Sequence, residues 1–250
     1  MNFALISTYR FDMLVSWFYY VTYALVMFYL WRLTASNPGE EKMLLAYFII
    51  FYSIFKPTRT GKIANWISDG IQKGELNSFL VKPTYYPYTK IMSIFTILFI
   101  RTLVPSILII IAAIIRPDIF APSSGVNFIY FLISLVLSQF MWHTFMWFLG
   151  SLSFWIREIG HTLTVVDLFF DIINGALIPI YFFSNTIQNI VSYTPAYFQG
   201  AFQLQIYQGQ LEQKDIYQGL IVTVIWFVIF FILAQFTFQK GLKSYDAANG

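Results

Sequence analysis

The sequence of 250 residues contains no cysteine and only two histidines, and few of its residues carry a charge. Without cysteine, the chain forms no disulfide and has no thiol chemistry. The two histidines, His143 and His161, do not have the spacing of metal ligands. Asp, Glu, Lys and Arg together make up 11% of the residues, against roughly 25% in soluble domains. This shortage of charge indicates a membrane protein.

Several functional signatures are also missing from the sequence. No G-x-x-x-x-G-K-[ST] phosphate loop is present, so we expect no ATP binding by that route and no cofactor in this chain. No internal repeat is visible, which disfavours secondary carriers built from inverted repeats. The net charge of +3 is small and does not indicate nucleic-acid binding. No small-residue cleavage site follows the first apolar run, which we expect to be a retained span.

Apolar residues are abundant instead: they make up 58% of the chain, aromatic residues make up 21%, and the mean hydropathy is +0.65. Six stretches are long enough, or nearly so, to cross a bilayer. We therefore predict an all-α integral membrane protein with one membrane domain over residues 1–250. An interfacial helix is predicted over Met1–Met13, and transmembrane spans are predicted over Leu14–Trp31, from Met43 past Lys56, and over Ile91–Ile115, Val126–Gly150, His161–Ile178 and Leu220–Phe238.

The second span is short, because its charge-free core from Met43 to Phe55 has only 13 residues. A helix needs about 20 apolar residues to cross the hydrocarbon region. The helix is therefore expected to continue past Lys56, with the Lys56 and Arg59 side chains extending to the membrane surface.

Between the last two spans, residues 179–219 form apolar pieces that are each too short to cross the membrane. They are interrupted at Pro179, Pro195, Gly200 and Gly209. Irregular backbone at membrane depth is tolerated where it is buried in protein or lines water. We expect two short re-entrant or interfacial helices here, with a plain surface loop as the alternative.

The distribution of Lys and Arg predicts the orientation. With both termini in the cytoplasm, ten of these residues lie on the inner side and four on the outer side. Cytoplasmic loops carry the excess of Lys and Arg. The sequence therefore predicts a multi-pass protein of the plasma membrane with a cytoplasmic loop over residues 56–90, while residues 179–219 lie outside.

That cytoplasmic loop contains an amphipathic segment, Gly61–Leu80. Its apolar residues fall on one helical face, with Asp69 outside that face and with Gly70 and Gly74 expected to allow bends. The segment is either a docking element for a partner or a passive connector resting on the membrane. The apolar face consists of Ile63, Trp66, Ile67, Ile71 and Leu76.

Polar groups inside the predicted spans are candidates for function, because a charge in the bilayer is costly. Asp167 and Asp171 are four residues apart and share a helical face, and we predict Arg101 as their partner. The pair is either a structural salt bridge or a protonatable site. For His143, hydrogen-bonded packing with Gln139 is the simpler interpretation. Trp142, Trp147 and Trp155 either line an aromatic cavity for a cation or pack in the interior.

Several motifs, in order along the chain, resemble those of type-2 ABC-exporter permeases. Gly74-Glu75-Leu76 through Lys82-Pro83 resembles the cytoplasmic-loop motif of that family. Thr8–Asp12 resembles its N-terminal elbow, and Ser153-Phe154-Trp155 resembles the motif after its fourth span. The stretch Gly175–Phe183 is similar to its G-x-x-I-P motif, with Ser184 where proline is usual, and Pro195 and Gly209 match later positions. The subgroup that the chain resembles includes permeases linked to export of organic cations such as viologens.

The resemblance implies a transport subunit with no catalytic residues of its own. Its partners would be separate ATPase subunits that bind ATP and Mg²⁺, a second permease copy or a paralogue, and membrane lipid. The resemblance also implies that residues of the loop couple the permease to the ATPase, namely Ile63, Trp66, Ile67, Asp69, Gly70, Gly74, Glu75 and Leu76.

Two other classes of membrane protein fit the sequence less well. An integral membrane transferase acting on a lipid-linked substrate would need paired acids near a membrane surface. Asp167 and Asp171 do not have the D-D-x-x-D spacing of metal-dependent members of that class. An ion channel would be expected to have a pore-lining repeat, and none is visible.

Overall fold

The computed structural model describes the backbone of residues 3–80, 86–156 and 158–249, and the side chains of residues 15–77, 86–156 and 158–245. Four residues of the loop motif and of the Lys and Arg count lie outside the described residues: Val81, Lys82, Pro83 and Arg157. All regular elements within the described ranges are helical. The helices are α1 (Phe3–Trp31), α2 (Pro38–Ile50), α3 (Lys56–Thr58), α4 (Lys62–Gln72), α5 (Glu75–Leu80), α6 (Tyr86–Ile115), α7 (Pro117–Phe120), α8 (Gly125–Ser151), α9 (Gly160–Ile173), α10 (Asn185–Val191), α11 (Ala201–Gln208) and α12 (Gln213–Asn249).

Among the residues whose side chains are described, three segments are long and apolar enough to cross a membrane: Tyr86–Ile115, Gly125–Phe154 and Gln213–Tyr245. Large apolar side chains on α6 and α12 point outward, including Phe99, Ile114 and Phe236. An apolar surface of this kind is suited to lipid rather than water. The chain is therefore an all-α, multi-pass membrane protein.

The other three predicted spans are less regular. The backbone of α1 is continuous through Met13, so the separate helix expected over residues 1–13 is replaced by one helix of 29 residues. Helices α2 and α3 are joined by a π turn at Phe51–Phe55, so the helix continues past Lys56 as the sequence predicts. Helix α9 has 14 residues, or about 21 Å, less than the ~30 Å of a hydrocarbon core.

The connections α1–α2 and α6–α8 lie at the same end of the molecule. Asn37 caps α2 by accepting a hydrogen bond from the Glu40 backbone N–H at 2.9 Å, and Pro38 suits the first helical turn. Lys42 pairs with Asp118 at 2.6 Å. Hydrogen bonds from Arg116 and Lys42 hold the pKa of Asp118 well below its usual range.

Helix α4 lies at the opposite end, against the C-terminal part of α8. A Cβ atom on Gly150 would lie 2.9 Å from the Cα of Ala64 and 3.0 Å from the Cβ of Ile67. Glycine therefore permits the close approach of these two helices. Phe154 packs on Gly241 of α12 at the same end. Helix α1 ends near Asn37, so its first residues lie at the opposite end of the molecule, where α4 is. The C-terminal part of α12 lies there as well, so both described ends of the chain are on the side of α4.

We predict that Gly150→Ala destabilises the protein, because the added methyl group would displace the α4 backbone. Overpacking of this kind costs about 1–3 kcal/mol. The measurement is the thermal unfolding midpoint of the purified protein in detergent. Gly125→Ala is the matched control, because a Cβ there has no neighbour within 4 Å. Equal midpoints for the two variants would contradict the close packing of α4 on α8.

Candidate functional site

The turn between α3 and α4 is held against α8 by hydrogen bonds. The Gln139 amide donates to the Thr58 hydroxyl at 3.0 Å. The Trp142 indole N–H donates to the Thr60 carbonyl oxygen at 3.2 Å. Between these two anchors the helix ends, and the Arg59 backbone leaves the helical conformation. The Arg59 side chain is thereby directed inward, where only 2% of it is exposed.

Arg59 and Lys56 meet the two carboxylates of α9 in a four-residue cluster, which we call the ion-pair cluster. Lys56 Nζ lies 2.5 Å from an Asp171 carboxylate oxygen and 3.9 Å from Asp167. Arg59 Nη2 contacts Asp171 and lies 3.2 Å from Asp167. Asp171 is 18% exposed and Asp167 is 46% exposed. The predicted shared face of the two aspartates is confirmed.

The prediction of Arg101 as their partner is wrong, and so is the expectation that Lys56 and Arg59 extend to the surface. Lys56 in α3 and Arg59 in the turn after Thr58 both reach α9, and Arg59 is buried there. Arg101 lies in the middle of α6, where its carbonyl oxygen accepts a hydrogen bond from the Trp17 indole at 3.2 Å. That oxygen needs a donor because Pro105, four residues on, has no N–H. Among the described side chains, no carboxylate lies within ion-pair distance of Arg101.

Aromatic rings enclose the buried guanidinium group. The Arg59 Cζ atom lies 5.5 Å from the centre of the Trp142 ring and 6.0 Å from that of Phe170. Such contacts stabilise a desolvated cation. Trp142 thus does bind a cation, but that cation is the protein's own arginine. Trp147 is fully buried, whereas Trp155 is half exposed.

His143 is fully buried. Its Nδ1 is 2.7 Å from the Gln139 carbonyl oxygen, one helical turn earlier. The ring also lies 5.7 Å from Phe95. Hydrogen-bonded packing with Gln139 is therefore confirmed, although the contact is to the backbone rather than the side chain of Gln139.

Most of residues 174–180 and 196–207 fold into the protein, whereas residues 182–194, which include α10, are mostly exposed. The Gln199 amide donates to the Ser138 carbonyl oxygen at 2.7 Å, and the Gln203 amide donates to the Phe198 carbonyl oxygen at the same distance. Both side chains are buried, as is Asn174. These amides satisfy backbone oxygens that water does not reach. Helix α11 therefore packs against α8 and α2 rather than forming a plain loop, while α10 lies at the surface of the described structure.

Glycines and prolines set the path of this segment. Gly175 has φ +89°, and a Cβ there would lie 2.0 Å from the Tyr47 hydroxyl. That hydroxyl donates to the Gly175 carbonyl oxygen at 3.0 Å. Gly209 ends α11 in the left-handed conformation, and Pro179 precedes a short turn at Ile180–Phe182. Pro195 is half-buried between α10 and α11. Ser184 has φ −61°, a value that proline also adopts.

Helix α4 has one apolar and one polar face, as the sequence predicts, but the apolar face is directed into the bundle. Ile63 and Ile67 are fully buried, and so is Leu76 of α5. The expectation that Ile67 contacts a partner is therefore wrong, because Gly150 lets α8 occupy that face. The outer face carries Asn65, part of Trp66, and Asp69, which pairs with Lys73 at 3.1 Å.

Glycines shape both ends of this region. A Cβ on Gly70 would lie 2.2 Å from the Tyr86 hydroxyl, which donates to the Trp66 carbonyl oxygen at 2.9 Å. Gly70 thus permits close packing on α6 rather than a bend. The bend occurs at Gly74, with φ +74°, and exposed Glu75 then begins α5.

We predict that Asp171→Ala strongly destabilises the protein, because it removes a principal carboxylate partner of buried Arg59. Removal of one partner from a buried ion pair costs about 3–5 kcal/mol. The control is Asp118→Ala, which removes an exposed ion pair at the other end. The double variant Arg59→Met/Asp171→Leu should recover most of the lost stability. Equal unfolding midpoints for the two single variants in detergent would contradict this role of Asp171.

Comparison with known proteins identifies the family of the chain. The sequence matches the family model described as ABC-2 family transporter protein over residues 15–249. No curated protein matches the chain. The matched region includes helix α4, the ion-pair cluster and residues 174–209. Because the match covers nearly the whole sequence, the chain belongs to the ABC-2 family of transporter proteins.

Proposed function

We propose that this chain is the permease subunit of an ABC exporter that uses ATP hydrolysed by separate subunits. The family supports a membrane permease subunit that associates with ABC ATPases. The observation that carries the rest of the proposal is the packing of α4: its apolar face is fixed on α8, and its polar face is open. A partner bound to that polar face would act on the bundle through a rigid contact.

The route from α4 into the membrane is short. Thr58, Thr60 and Arg59 connect α4 to α8 and α9 through the hydrogen bonds and ion pairs described above. A displacement of α4 would therefore act directly on the contact between Arg59 and Asp171. In this proposal, ATP-driven movement of α4 changes the position of α9 relative to α8, and the two permease subunits of the complex together open the path.

The substrate class that we propose is hydrophobic or amphipathic, with organic cations as the first compounds to test. The predicted topology of six spans with both termini in the cytoplasm of a plasma-membrane protein completes the proposal. The position of both described ends on the side of α4 is consistent with this topology. The short helix α9 would cross together with the residues that follow it, whose irregular backbone is buried in protein.

Substitutions on the polar face of α4 should weaken ATPase binding without unfolding the bundle. We expect Asp69→Arg and Asn65→Arg each to reduce the amount of ATPase that co-purifies by about tenfold or more, because both change the open face. The unfolding midpoint should stay close to that of the unmodified chain. Lys214→Glu, at the start of α12, is the control.

The readouts are the ratio of ATPase to permease after purification and ATP hydrolysis in proteoliposomes. Ile67→Glu should instead lower the unfolding midpoint, because Ile67 is buried between α4 and α8. Full ATPase binding by both polar-face variants would mean that α4 is a passive connector.

The topology is testable because the chain has no native cysteine. We expect Lys214→Cys to react with a membrane-impermeant maleimide on intact cells. Lys73→Cys should react only after the membrane is opened, because it lies on the cytoplasmic side. Labelling of Lys73→Cys from outside would reverse the proposed orientation.

A further inference from the structure

A narrow crevice separates α1 from α6. Its volume is about 250 Å³ and its wall is almost entirely apolar. Val21 and Leu108 are exposed at its rim, so the crevice is open to the surroundings of the helices. Its lining includes Trp17, Tyr20, Val21, Val104, Pro105 and Leu108.

Arg101 is placed at the end of this crevice that faces α4. Residues 101, 105 and 108 are spaced by four and three positions, so they follow one face of α6. Arg101 is one turn nearer to the α4 end than Pro105. The hydrogen bond from the Trp17 indole to the Arg101 carbonyl oxygen, 3.2 Å long, places α1 beside it. Arg101, which is half-buried, therefore follows one helical turn beyond the lining residue Pro105 on the side of α4.

Lys62, the first residue of α4, is near enough to Arg101 for the two positive charges to repel each other. Partial burial lowers the pKa of Lys62, and the positive charge of Arg101 lowers it further. Neither cation has a carboxylate within ion-pair distance among the described side chains. Four cations lie in this region, Lys56, Arg59, Lys62 and Arg101, and the carboxylates in ion pairs with them among the described side chains are Asp167 and Asp171. Two of the positive charges thus have no counter-charge within the part of the chain whose side chains are described.

We propose that the crevice and the two cations form a binding site for one anionic phospholipid, with an acyl chain against Pro105 and the phosphate group between Arg101 and Lys62. The uncompensated positive charge matches a phosphate, and the apolar wall matches a hydrocarbon chain. Basic pockets at membrane-helix interfaces on the cytoplasmic side suit anionic headgroups. The site is independent of the transported substrate, because it needs only the membrane and this chain.

The test is native mass spectrometry of the full-length chain released from detergent. Three probes are offered separately: phosphatidylglycerol, phosphatidylcholine and inorganic phosphate. We expect retention of one phosphatidylglycerol molecule, with phosphatidylcholine retained less and inorganic phosphate not retained. Each cation near a membrane surface contributes about 1 kcal/mol, or roughly fivefold in affinity. Arg101→Gln and Lys62→Gln should each lower phosphatidylglycerol binding by about fivefold, and the double variant should lower it further.

Lys73→Gln is the matched control, because Lys73 is an exposed lysine on the same side that pairs with Asp69. It should leave lipid binding unchanged. Leu108→Trp fills the crevice without changing charge and should also reduce binding, whereas Arg101→Lys should retain it. Equal retention of the two lipids, or equal losses for Arg101→Gln and Lys73→Gln, would overturn the proposal. Retention of inorganic phosphate together with loss of lipid selectivity would show an anion site without an acyl-chain site. None of these results depends on the ATPase, so a failure here leaves the proposed transport function standing.

Discussion

The buried positive charge of Arg59 is the constraint on which the arrangement of the other helices depends. A guanidinium group that has lost its water requires carboxylates, hydrogen bonds or aromatic faces to remain charged. Here Asp171 and Asp167 supply the charge, while Trp142 and Phe170 supply the rings. Helices α3, α8 and α9 must therefore meet at one point. The short helix α9 is held in the bundle by this electrostatic contact together with the packing of Phe170.

The sequence predicted the elements that depend on local pattern. The apolar runs of α6, α8 and α12 are long, so their helices follow directly from composition. The amphipathic character of α4 and the shared face of Asp167 and Asp171 follow from helical periodicity alone. In these places the physical cause lies within a few turns of chain, and the sequence contains all of it.

The predictions that failed depended on contacts between distant segments. Arg101 was expected to pair with the aspartates because it interrupts an apolar run, but partner choice depends on which cation the turn after Thr58 brings to α9. A signal was present: the charge-free part of the second span is too short, so Lys56 and Arg59 follow it closely. The direction of Ile67 depended on Gly150, whose missing side chain lets α8 cover α4. No pattern within α4 reveals that contact.

The hydrogen bond between Trp17 and the Arg101 carbonyl oxygen has a mechanical consequence. Proline normally makes a helix easier to bend, because it leaves one carbonyl group unpaired inside the helix. In this protein the unpaired oxygen is satisfied from a neighbouring helix. Separation of α1 from α6 would expose that oxygen to an apolar medium, at a cost of about 1–3 kcal/mol. Movement of the two helices together avoids that cost, and the weak point of α6 becomes a joint between helices rather than a hinge within one.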